Sequence, residues 1–301
     1  MLMKRLLLLI LLLTCVSAAS AQSSSSKEPD FIVPSRPTVS NPAEFQKPGV
    51  LQLEYGYNAN FHATGVSVEQ DTPLSLRFAV NRRVLLELDE DSPFSQTAGG
   101  LRTTGAGDTQ LGIQIVLQHE KESRPGVSFA YYVKLPSASS TEGLGTGRVD
   151  HALIGLISQS IRGTTIDFNI AYLLAGRTSS SGHASSGQGA LAASRSVSKR
   201  LGVQGEISGS SRQDTQPGAL FTLGAVTYKV NSRLFLDTGI RFGLTKEAPR
   251  VGFFAGVTVG IVELYKRRGH HSRETTRELS NQEAKPGLER DLPQEYHSFN
   301  K

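Results

Sequence analysis

Tryptophan is absent from this 301-residue chain, methionine occurs twice and cysteine once. The one thiol, Cys15, lies in the first 21 residues, so the chain beyond it holds no disulfide, thiolate metal site or paired-cysteine redox centre. No apolar run reaches the roughly 20 residues that a membrane-crossing helix needs. Mean hydropathy is negative and only 38% of residues are hydrophobic, which excludes a helical membrane protein as the main architecture. Charge of one sign is not concentrated either. The net +5 is mild and sits partly near the C-terminus, so it leaves no nucleic-acid footprint. Thirty glycines weaken any helical bundle.

What is present is alternation. In the stretch from Gly49 to Phe61, Leu51, Leu53, Tyr55, Tyr57, Ala59 and Phe61 share one side of an extended chain. Gln52, Glu54, Gly56, Asn58 and Asn60 take the other. A period of two is the mark of a half-exposed strand. Soluble strands usually stop after about 5–6 residues, whereas a tilted bilayer-crossing strand needs roughly 9–11.

The same pattern recurs down to Ile261. Leu74, Leu76, Phe78 and Val80 form one face of the next strand; Val84, Leu86 and Leu88 follow after a tight reversal at Asn81-Arg82. Further alternating runs start at Leu111, Val127, Val149, Ile166, Ala190, Leu201, Ala219, Leu234 and Val251. The run from Ala190 to Val197 is the weakest, with few large apolar residues. Long connections are expected at 62–72, 91–107, 136–147 and 177–187, and short ones at Asn81-Arg82, Arg162-Gly163, Ser198 to Arg200 and Asn231-Ser232. Long and short alternate strictly. The expectation is an all-β fold, an antiparallel transmembrane β-barrel of about 12 strands with short periplasmic turns and long outer loops. A soluble β-sandwich also alternates, but its strands are shorter and its loops show no such parity.

In a membrane barrel the apolar face looks outward and the polar face lines the lumen. The lumen-facing candidates are Glu54, Arg77, Glu87, Asp89, Lys134, Asp167, Glu206, Arg233, Asp237 and Arg241. Their mixed signs fit either a wet channel or an ion-paired plug. Tyr55, Tyr57, Tyr131 and Tyr172 suit an outer aromatic girdle.

The ends read differently. Lys4 and Arg5 precede the apolar run Leu6 to Leu13, and Ala19-Ser20-Ala21 is a cleavage pattern, so residues 1–21 are expected to be a secretory signal peptide. Residues 22–48 are rich in Pro and Ser and are expected to form an extended or disordered periplasmic arm, with a plug folded into the barrel mouth as the alternative. The barrel spans 49–265. Residues 266–301 are a polar tail, expected to be disordered. The segment Val259 to Tyr265 is the internal stretch for barrel-assembly machinery to read.

Short marks in order along the chain carry a family resemblance. They are Pro34-Ser-Arg-Pro37, Gly49 with Gln52 and Glu54, Pro73 with Leu76-Arg77, Gly105-Ala-Gly-Asp108 with Gly112, and Lys134-Leu-Pro136. Over about Pro34 to Ile261 the chain resembles the outer-membrane transporter family named after the meta-cleavage pathway of phenol degradation. The resemblance implies uptake of small aromatic or hydrophobic compounds. The partners expected are outer-membrane lipid, a small solute and the assembly machinery, with no cofactor, metal or nucleic acid.

Enzyme signals are thin. Gly143 to Gly147 lacks the helix of a phosphate-cradling loop, and Ser196 to Lys199 matches S-x-x-K without its usual companions. An outer-membrane lipid hydrolase needs a serine beside His62, His151 or His183 at the outer boundary, and no serine sits in a recognisable setting. A barrel that contacts lipid and transports nothing is the other alternative.

Overall fold

Alternating side chains make the chain a set of strands whose two faces want different solvents, and closing the sheet satisfies both. The computed structural model describes residues 30–63, 66–91, 94–142, 144–177, 181–213 and 217–265. The signal-peptide and tail expectations fall outside them. Fifteen strands are formed: β1 (Val50–Ala63), β2 (Val66–Asp71), β3 (Pro73–Ala79), β4 (Val84–Asp91), β5 (Phe94–Ala98), β6 (Leu101–Gly105), β7 (Thr109–Gln118), β8 (Gly126–Leu135), β9 (Asp150–Ile161), β10 (Thr164–Gly176), β11 (His183–Ser196), β12 (Leu201–Ser210), β13 (Ala219–Asn231), β14 (Leu234–Gly243) and β15 (Val251–Glu263). β1 pairs with both β2 and β3, β4 and β5 continue one line, and so do β6 and β7. The result is twelve antiparallel staves. β15 closes on β1 from Val50↔Glu263 to Phe61↔Val251, so the wall has no open seam, and among the described residues β6 is left paired only with β5.

The faces fall as the alternation requires. Ile170 is 60% exposed on the outer wall, and Phe168, Tyr172, Leu191 and Ile207 join it, while Arg77 is 0% exposed inside. Tyr55, Tyr57 and Tyr172 stand exposed on the outer surface. Leu191 lies mid-strand, paired with Phe168 and Ile207. An arginine there puts a charge in the acyl layer, so Leu191→Arg is expected to cost about 2–4 kcal/mol. Urea unfolding in lipid vesicles, followed by circular dichroism, checks it; a change within error contradicts the outward assignment.

The short connections share one device. The Asn81 side chain accepts from the amides of Arg83 (2.7 Å) and Val84 (3.0 Å). Ser198 Oγ accepts from Arg200 and Leu201, and Asn231 from Arg233. Each is a side chain standing in for a backbone turn bond. Arg162 and Gly163 both have positive φ, 50° and 79°, as a two-residue hairpin turn requires.

Two expected outer loops are instead strand. The 62–72 connection is a hairpin of β1 with β2, and 91–107 is the ladder of β5 with β6. Gly99 and Gly100, with φ of 57° and 83°, are a two-residue turn. The glycine signal was that of a tight hairpin projecting beyond the wall, not of an irregular loop. The weak run at Ala190 is also longer than expected. β11 starts at His183 and covers 14 residues, because small residues still make a full ladder with β10.

Candidate functional site

Barrel width rises with strand number: about eight strands can be filled by their own side chains, while 16–18 enclose an open channel. Twelve staves leave a space between these cases, and this chain fills part of it with its own N-terminal arm. Residues 30–48 do not hang loose. Ile32, Ser40, Ala43, Phe45 and Gln46 are all buried inside the barrel. An extended, proline-containing segment cannot satisfy its own backbone groups, so inward side chains must do it.

They do so one after another around the wall. Gln52 on β1 makes a two-way amide pair with Val33: the Val33 amide donates to Oε1 (3.0 Å), and Nε2 donates to the Val33 carbonyl (2.9 Å). The Glu54 carboxylate accepts from the Ser35 amide, the Ser35 hydroxyl and the Arg36 amide at 2.9–3.1 Å. On β12, Glu206 accepts from the amide (2.8 Å) and hydroxyl (3.0 Å) of Ser40. Asn169 on β10 repeats the two-way amide pair with Asn41. The Ala43 amide donates to Ser158 Oγ (2.7 Å), and the Ala43 carbonyl accepts from Gln114 and Ser128. The arm then returns, with the Lys47 amide bonded to the Asp30 carbonyl (2.9 Å).

Arg36 has a cradle of its own. Gly56 and Gly256 face each other across the closing seam. A Cβ on either would lie 2.3 or 2.5 Å from the guanidinium group. Their absence of side chain lets Arg36 reach Asp237 on β14 at 3.5 Å.

At the centre lies a buried ion-pair network. Arg77 Nε meets Glu87 Oε1 at 2.5 Å and Nη1 meets Glu54 Oε1 at 3.2 Å. Nη1 also donates to the Val33 carbonyl (2.9 Å), tying arm to wall. The Tyr132 hydroxyl donates to the other Glu87 oxygen, and Gly112 makes room for its ring.

The ten charged residues marked in the sequence therefore divide by place. Glu54, Arg77 and Glu87 share the central network, and Asp89 sits one step above Glu87 along β4. Asp237 and Glu206 hold the arm, and Asp167 holds it through Ser158 (2.5 Å). Lys134 lies near the loop end between Asp108 (2.9 Å) and Asp150 (2.5 Å). Arg241 donates to Asn60 (2.7 Å). Arg233 is exposed on a turn, with its guanidinium 4.2 Å from the centre of the Phe31 ring. The residues missed were the neutral ones, Gln52, Gln114, Ser128, Ser158 and Asn169. They occupy the same inward positions of the alternation, which was the signal that could have found them.

Above the arm a cavity of about 240 Å³ opens, lined by Arg36, Glu54, Glu87, Asp89, Gln110 and Tyr132 among others. A second, of about 150 Å³, shares Gln110 and Tyr132 and continues to Lys134 and Asp150 near the loop end. Together they make a vestibule with charged, polar and apolar lining that ends on the arm. On the outer face, His151 Nδ1 lies 2.8 Å from the Tyr131 hydroxyl and its ring lies 6.0 Å from that of His183. Its bonding partner is thus a tyrosine and not a serine.

A family model described as "Putative MetA-pathway of phenol degradation" matches residues 34–261. The chain belongs to this family. The match begins inside the arm, so the plug and the staves are parts of one family unit. Among solved structures, the chain resembles the COG4313 outer membrane channel from Pseudomonas putida F1, with a TM-score of 0.58, 12% identity, and 72% of this chain and 97% of that one covered. It also resembles a NanC porin, with a TM-score of 0.50, 8% identity, and 70% and 100% covered. The likeness is one of fold: a closed antiparallel β-barrel of the kind seen in outer-membrane channels and porins. No curated protein sequence matches the chain.

Proposed function

We propose that the barrel passes a small solute across the outer membrane through a lumen narrowed by its own N-terminal arm. The observation that carries this is the pair of adjoining cavities running from the loop end to the arm inside a closed wall. A barrel serving only as a structural element has no need of a vestibule. The family's link to phenol degradation supports a small aromatic or hydrophobic compound as cargo. The barrel does no chemistry on that cargo. Residues 1–21 direct export, the short turns face the periplasm, the outer wall meets lipid, and the assembly machinery reads the last strand through Tyr265.

Two measurements test the reading. Purified protein in liposomes is expected to speed swelling in small neutral solutes, and cells with the gene are expected to take up aromatic growth substrates faster than cells without it. Liposomes sealed to every solute, together with unchanged uptake of every substrate, would leave a non-transporting barrel.

A further inference from the structure

The 240 Å³ cavity is not neutral. Glu54 and Glu87 line it and share the single positive charge of Arg77 behind them. Arg36, the one guanidinium lining it, is matched by Asp237. Asp89 is left over. Its bonding partner is the Ser75 hydroxyl, directly across the strand pair. Among the described residues no cationic side chain lies within ion-pair distance of it. A half-buried carboxylate with no cation is costly while it is ionised, and an incoming positive charge favours the ionised form and removes that cost. The rest of the path has the same bias: Asp108 and Asp150 share the single Lys134. The cavity also has an apolar wall, made by Pro73, Tyr132 and Ile154.

We infer that this cavity is a binding site for a small organic monocation, one ammonium group on a flat apolar body, with Asp89 as the counter-ion and Tyr132 and Ile154 against the body. The inference rests on the channel reading and narrows its cargo. A neutral hydrocarbon fills the space but leaves Asp89 without a partner. An anion meets three carboxylates. Charged groups lining a narrow path select ions by sign in this way.

The test uses the full processed barrel in detergent micelles, with benzylammonium, benzyl alcohol and benzoate as probes at fixed ionic strength. Titration calorimetry is expected to give benzylammonium at least about tenfold tighter than benzyl alcohol, as a charge-assisted contact implies, and no measurable benzoate binding. Asp89→Asn keeps the shape and the Ser75 contact, and is expected to bring benzylammonium down to the level of benzyl alcohol. Equal binding of the charged and neutral probes to the wild-type barrel overturns the site, as does unchanged selectivity in Asp89→Asn. Should that variant not fold, the wild-type series decides alone. A barrel that binds benzylammonium selectively yet passes no solute keeps this site and loses the channel. One that passes solutes but does not separate the probes keeps the channel and loses the site.

Discussion

Deleting residues 31–46 is expected to raise the single-channel conductance of the barrel several-fold. The deletion removes the segment that crosses the lumen and leaves the twelve staves and the β1–β15 seam in place. The wall does not depend on the arm for its ladder: each stave is bonded to its neighbours along its length. What is lost is the arm's own set of bonds to Gln52, Glu54, Glu206, Asn169 and Ser158. Water replaces them in the widened lumen, so their net loss is about 0.5–1.5 kcal/mol for each neutral partner and up to about 3 kcal/mol for a bond to a carboxylate. The expected variant is a folded, somewhat less stable and much more open pore. Planar-bilayer recordings, with circular dichroism as the check on folding, measure both. A folded deletion variant with unaltered conductance would show that something other than the arm sets the constriction.

Arg77→Leu is expected to be the most damaging single substitution in the wall, at roughly 3–5 kcal/mol. The guanidinium is wholly buried and answers two carboxylates, Glu54 and Glu87. Leucine fills much of the volume but leaves Glu54 and Glu87 without a cation at the buried wall of the cavity. The cost therefore comes mostly from the abandoned partners, not from the lost attraction. A triple change, Arg77→Leu with Glu54→Gln and Glu87→Gln, is expected to recover most of it, since amides have no charge to leave unpaired. With no tryptophan in the chain, unfolding is best followed by far-ultraviolet circular dichroism. A single variant within about 1 kcal/mol of wild type, a surface-pair value, would mean that the centre of the lumen is wetter than its burial implies.

The two halves of the architecture were unequally legible. The wall was plain because alternation is local. Leu51 and Gln52, or Ile166 and Asp167, declare their faces within two residues. The path of the arm was not, because its contacts join residues far apart in sequence, as Asn41 joins Asn169 and Ser40 joins Glu206. Proline-rich extended chain reads the same whether it is solvated or threaded through a lumen. Its backbone partners are side chains with no spacing rule. Charge sets Arg77 and Glu87 apart in the sequence, while the amides and hydroxyls that grip the arm look like any other residue on a polar face. The Gly99-Gly100 hairpin is hidden for a different reason: its polar ladder has no apolar stripe to give it away.

The arm precedes β1 in the chain, yet the seam that encloses it is made by the last strand. Because Asp30 and Lys47 meet at a single mouth, the inserted piece is a folded-back loop. Such a loop can be drawn out sideways on itself without pulling a free end through the bore, so removing the obstruction does not require the cylinder to reopen.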